Sequence, residues 1–146
     1  MRSYSESATI DAAPETVWSI LANLEAWPAW TPTVTKSERL DQGAIGIGSR
    51  TRILQPKLRP AVWVITDWRP NEAFTWVSNG AGFKVTAEHV LERVGSGCRL
   101  TLHLRFGGLI GAVVGALGAN LTRQYLRLEA NGLKQHSERP PRTVPA

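Results

Sequence analysis

Between Thr33 and Phe106 the chain alternates apolar and polar residues in short runs, and the connections between these runs are brief. Val34 to Leu40, Ser49 to Gln55, Ala61 to Trp68, Ala73 to Ser78, Phe83 to Glu92 and Arg99 to Phe106 each read as a strand with a period of two. Turn-forming residues fill the gaps: Gln42 to Gly48, Pro56-Lys57-Leu58-Arg59-Pro60, Arg69-Pro70-Asn71-Glu72, Asn79-Gly80-Ala81-Gly82 and Gly95-Ser96-Gly97. A parallel crossover needs about a dozen residues or more, which these gaps do not hold. The segment must therefore fold as an antiparallel sheet, and the rest of the chain has to fit around it.

Before it, Ser3 to Asp11 alternates in the same way, with Tyr4, Ala8 and Ile10 on one side. Asp11-Ala12-Ala13-Pro14-Glu15 has the form of a helix entry, with proline in the first turn and an acid near the positive end of the dipole. Val17, Ile20, Leu21 and Leu24 then give a short amphipathic helix, which Trp27-Pro28-Ala29-Trp30-Thr31-Pro32 interrupts after a further helical turn. After Phe106, Leu109 to His136 contains no proline and reads as one long helix. The predicted order is strand, two short helices, six strands, long helix. It forms a single domain over residues 1–137, with residues 138–146 as a flexible tail.

The long helix carries an anomaly. Gly111, Gly115 and Gly118 fall on one face, extended by Gly108 and Thr122. Glycine inside a helix costs about 1 kcal/mol relative to alanine, so three in line require a reason. Either another backbone passes close to this face, or the space beside it is kept for something that is not protein.

Composition narrows the functional classes. The net charge of +5 brings nucleic acid and anionic membranes into consideration. The basic residues are scattered, however, and the alternation buries the aromatics that a nucleic-acid face would need, so a solvated basic surface is expected and no nucleic-acid partner. The single cysteine, Cys98, excludes an internal disulfide and a cysteine-based zinc site. With no signal-like apolar run at Met1 to Glu6, a cytoplasmic location is expected. Leu109 to Ala119 is too short for an integral membrane segment. Six tryptophans against three phenylalanines suit a half-open pocket or an interface as well as a core.

The element order and its punctuation resemble the START-like (SRPBCC) superfamily, the helix-grip fold of the birch-pollen allergens, and within it the polyketide cyclase/dehydrase branch. The residues that carry the resemblance are Ile10-Asp11-Ala12-Ala13-Pro14-Glu15-Thr16-Val17-Trp18, Trp27-Pro28-Ala29-Trp30 and Gly48-Ser49-Arg50. Further along they are Trp63 to Pro70 with Phe74-Thr75-Trp76, and Glu88-His89-Val90-Leu91. The resemblance implies an α+β helix-grip fold: a curved seven-stranded antiparallel sheet wrapped around a long C-terminal helix, with two short helices between the first and second strands. It also implies a cavity between sheet and helix that holds a small hydrophobic molecule, polyketide- or lipid-like, with possible cyclase or dehydratase activity. A cavity entrance is implied near Trp27 and Trp30. A non-catalytic carrier, or a module that uses the apolar start of the last helix to meet a membrane or a second copy as a homodimer, is the alternative. The family name fixes architecture better than reaction.

The expected cavity lining is Trp30, Trp63, Trp76, Phe83, His89, Leu102, Gly111, Gly115, Gly118 and Tyr125. His89 points with the apolar set of its strand, whereas His103 points to water. A neutral imidazole on the wall could orient a carbonyl or move a proton, and His89 is the one candidate catalytic residue. A core histidine satisfied by a neighbour is the ordinary alternative. Glu6 could be a cavity acid or a strand-end glutamate near solvent. Arg50 and Arg52 could bind an anion or form a solvated outer face. Asp67 could pair with an arginine on a neighbouring strand. No phosphate-binding loop, metal-ligand spacing or nucleophile elbow is present, so no cofactor or metal is expected.

Overall fold

A computed structural model describes residues 2–139. Its elements are β1 (Arg2–Ile10), α1 (Pro14–Leu21), a 3-10 helix (Leu24–Ala29), β2 (Lys36–Arg39), β3 (Arg50–Leu54) and β4 (Ala61–Arg69). They continue with β5 (Ala73–Gly80), β6 (Phe83–Val94), β7 (Gly97–Gly107), α2 (Gly111–Leu117) and α3 (Ala119–Ser137). The seven strands form one antiparallel sheet in the order β1-β7-β6-β5-β4-β3-β2. Consecutive strands from β2 to β7 are neighbours, as the short turns require. β1 closes on β7, so the two short helices carry the chain from one edge of the sheet to the other. β4 bends at a register shift between Ile65 and Asp67, a device that curves a sheet.

The core lies where the concave side of the sheet meets α1, the 3-10 helix and α3. Val17 and Leu21 of α1, Phe74, Leu100 and Cys98 of the sheet, and Ala130 and Leu133 of α3 are all buried. Trp18 packs edge-on against Trp68 at 4.9 Å. Trp27 donates its indole N–H to the Leu21 carbonyl at 2.9 Å, which fixes the 3-10 helix on α1.

The last helix departs from expectation. It is two helices, α2 and α3, meeting at Gly118 (φ −92°, ψ 11°). Helical bonding passes through the junction, from Gly118 N–H to Val114 and from Thr122 N–H to the Gly118 carbonyl. The apolar periodicity therefore runs on unbroken while the backbone does not. Glycine is the weakest link in a helix, and α2 is held independently from below.

Gly111 and Gly115 supply that hold. A Cβ at Gly111 would lie 3.0 Å from the Phe106 backbone, and one at Gly115 would lie 3.0 Å from both the Phe106 ring and the Arg2 Cβ. Tyr4 donates its hydroxyl to the Gly115 carbonyl at 2.6 Å. This half of the glycine stripe is thus close packing against β1 and β7, and the expectation that Gly111 and Gly115 line a cavity is corrected. Just past α3, Glu138 accepts from the Asp11 N–H and from Lys134, each at 2.7 Å. Residues 140–146 of the expected tail lie outside the described residues.

Candidate functional site

Between the sheet and α3 lies a cavity of about 840 Å³, within the size range of small-molecule sites. Every sheet strand from β3 to β7 contributes to it, together with the 3-10 helix, α2 and α3. The period-two alternation explains the sheet wall: Trp63, Trp76, Ala87, His89 and Leu102 all face inward from their strands. Trp76 is the centre of an aromatic group, 5.5 Å from Trp63, 5.2 Å from Trp27 and 5.2 Å from Phe74 between ring centroids. Trp63, Trp76, Phe83, His89, Leu102, Gly118 and Tyr125 all stand on the wall.

Trp30 does not. It sits behind Trp27, their rings 5.0 Å apart, and its backbone carries α3 at Gly132, where a Cβ would lie 2.0 Å from the Trp30 carbonyl oxygen. Trp27, not Trp30, faces the cavity. Both are buried, so the expected entrance beside them is also corrected. The exposed parts of the wall are instead the β3–β4 loop with Leu58, Arg59 and Pro60, and the β5–β6 turn with Ala81.

His89 is held from two sides. Its ring stacks on Phe74 at 4.1 Å and 12°, and its Nδ1 lies 3.2 Å from the Phe74 carbonyl oxygen. That oxygen can only accept, so Nδ1 carries the proton and Nε2 is left as an acceptor. Burial pulls the imidazole pKa down to about 4, with the Phe74 bond acting weakly in the other direction. At neutral pH His89 is therefore an uncharged ring with one satisfied nitrogen.

The second polar group is one that the sequence reading did not single out. Glu129 of α3 faces the cavity, and its Oε1 accepts from the Thr33 hydroxyl at 3.1 Å. The Thr33 oxygen is in turn 2.9 Å from Thr31 Oγ1, which accepts from the Thr33 N–H. Thr31 thus donates to Thr33, and Thr33 to Glu129. Burial raises the Glu129 carboxyl to about 7, while the Thr33 bond works against the rise. A signal for Glu129 did exist. It lies three residues after Leu126 and four before Leu133, on the buried stripe of α3.

The other candidates fall elsewhere. Arg50 is bound to Asp41 at 3.0 Å on the exposed side, and Arg52 is exposed. Asp67 pairs with Arg69 of its own strand rather than with a neighbouring one. Glu6 is half-buried on β1, away from the cavity wall. Tyr125 donates its hydroxyl to the Pro56 carbonyl, tying α3 to the β3–β4 loop. Among the described residues no three His, Cys, Asp or Glu side chains gather as a metal site.

A family model described as polyketide cyclase / dehydrase and lipid transport matches residues 1–138. The chain belongs to this family. No curated protein matches its sequence. Among solved structures, TTHA0849 from Thermus thermophilus superimposes with a TM-score of 0.74 at 19% identity, covering 93% of this chain and 97% of that one. Ara h 8.0201 gives 0.73 at 14% identity, covering 93% and 97%. The di-domain ARO/CYC BexL from the BE-7585A biosynthetic pathway gives 0.72 at 15% identity, covering 94% of this chain and 47% of that one. At these identities the neighbours establish the fold, which is the helix-grip architecture the family resemblance implied. A hydrophobic ligand-binding domain follows from the family and the fold together.

Proposed function

We propose that this member of the polyketide cyclase / dehydrase and lipid transport family binds an oxygenated hydrophobic molecule, polyketide- or lipid-like, in the cavity beneath α3. The observation that carries this reading is the composition of the deep wall. Trp27, Trp63, Trp76 and Leu102 are apolar, and Glu129 and His89 stand among them as polar groups with opposite capacities. A neutral His89 offers Nε2 to a ligand hydroxyl. Glu129, in its protonated form, offers a proton to a ligand carbonyl. A flexible chain with several oxygens would be held at two points and packed on tryptophan faces between them.

A second reading, catalysis, is favoured by Glu129 alone. A carboxyl with a pKa near 7 is matched to neutral pH, where it can take a proton from one carbon and return it to an oxygen. In an aldol cyclisation the carboxylate would remove the α-proton, the carbon–carbon bond would form at the carbonyl carbon, and the new alkoxide would take the proton back from Glu129. Positioning by the tryptophan walls would supply much of the acceleration.

Native mass spectrometry of the purified protein tests the binding reading. The expected result is a co-purifying mass of a few hundred daltons that leaves on unfolding. A protein that carries nothing, and takes up nothing from a panel of polyketide-like and acyl compounds, contradicts it.

A further inference from the structure

Among the described residues, nothing packs on the outer face of α2. Because Gly111 and Gly115 press the opposite face onto Phe106, Leu109, Val113 and Leu117 point away from the fold, with Leu109 98% and Leu117 85% exposed. Isolated exposed leucines need no explanation, whereas a cluster of them does. The cluster stands at the cavity opening. The Ile110 N–H donates to the Gly82 carbonyl at 2.9 Å, seating the start of α2 on the β5–β6 turn. Tyr125 holds the β3–β4 loop, with exposed Leu58 at its tip, against α3.

Charge says what covers this rim. No Asp or Glu occurs between Asp41 and Asp67, between Glu72 and Glu88, or between Glu92 and Glu129. These stretches include the β3–β4 loop and the β5–β6 turn at the opening, where Lys57 and Arg59 of the loop and Lys84 just after the turn are exposed. A second copy of the chain laid on the same face by a twofold axis would bring basic residues against basic residues. An anionic bilayer supplies both missing partners, apolar depth for the leucines and negative headgroups for the bases. At seven residues α2 can rest in the interface but not cross it.

We propose that α2 and the tip of the β3–β4 loop form a docking surface for anionic lipid bilayers, so that the cavity opens onto the membrane when the protein is bound. The surface is a property of the outside of the fold and stands independently of what the cavity holds.

Vesicle flotation tests it. The wild-type chain is expected to float with phosphatidylcholine vesicles containing phosphatidylglycerol, to float much less with pure phosphatidylcholine, and to be released as salt rises. The double variant Leu109→Ser/Leu117→Ser keeps the net charge and removes only exposed side chains, so it is expected to keep its melting temperature and to lose at least about tenfold in vesicle affinity. Wild-type protein that stays off anionic vesicles overturns the proposal. So does a double variant that floats as well as wild type, since binding would then be a matter of net charge. A wild-type dimer in sedimentation velocity that the double variant converts to monomer assigns the face to a second copy, and overturns it equally.

Discussion

The Thr33 hydroxyl donates to the Glu129 carboxylate at 3.1 Å, and through this bond the segment after the 3-10 helix meets the inner face of α3 at the cavity wall. A neutral hydroxyl is a weak counterpart for a carboxylate enclosed by protein, which is why the carboxyl is pushed up to about 7. The opposite shift of His89, down to about 4, comes from the same cause acting on a base.

These two shifts oppose each other in their effect on stability. Glu129 binds its proton more tightly in the folded state, so its contribution is complete below pH 4.5 and is lost as pH rises through 7. His89 binds its proton less tightly when folded, so its contribution is complete above pH 6.5 and is lost as pH falls through 4. Between pH 4.5 and 6.5 the two slopes cancel. Urea unfolding of the wild type is therefore expected to be nearly flat across that window and to decline from there to about pH 7.5. Glu129→Gln is expected to gain stability from pH 4 to 6.5 and to exceed the wild type by about 2 kcal/mol at pH 8. Parallel curves for the two proteins would remove Glu129 as a protonation site.

The glycines separate cleanly by what surrounds them. Gly132→Ala forces a methyl to within 2.0 Å of the Trp30 carbonyl oxygen, and backbone must move to admit it. A loss of about 3 kcal/mol is expected in thermal or urea unfolding.

Gly118→Ala is the contrasting case. Its nearest neighbours would be at 3.5 and 3.8 Å, and its φ is negative. Reduced freedom in the unfolded chain is expected to stabilise the protein by about 0.5 kcal/mol. A destabilisation would mean that the break between α2 and α3 needs glycine for reasons other than space.

Tyr4→Phe removes the bond to the Gly115 carbonyl without changing the ring. A cost of about 1 kcal/mol is expected, with faster amide exchange confined to α2 while α3 keeps its protection. Uniform loss of protection over both helices would show that they open as one unit.

The sheet was legible because alternation and turn chemistry agree from Val34 to Phe106: each expected strand reappears within a few residues of its predicted ends. The division of the last helix was not legible, because the apolar pattern continues through Gly118 and only tertiary anchoring by Phe106 and Tyr4 separates α2 from α3. The glycine stripe itself was a sound signal with two causes, close packing at Gly111 and Gly115 and a cavity wall at Gly118. Glu129 lies on the buried stripe of α3, but an acid in a long helix is ordinarily solvated, which hides it in the sequence. The wall takes Trp27 where Trp30 is expected, since a 3-10 turn containing Pro28 has no face that periodicity fixes. Gly132, the glycine with the least room beside a backbone atom, left no trace in periodicity at all.

What must hold above all is that the space beneath α3 receives an apolar ligand. The most direct test is a fluorescence titration with N-phenyl-1-naphthylamine against wild type and Ala87→Phe, whose new ring would project from β6 into the cavity. One equivalent of probe is expected to bind the wild type and quench its tryptophans. The filled variant is expected to melt no lower than the wild type by more than a few degrees and to bind at least about tenfold more weakly. Equal binding by the two proteins, or none by the wild type, would contradict the claim.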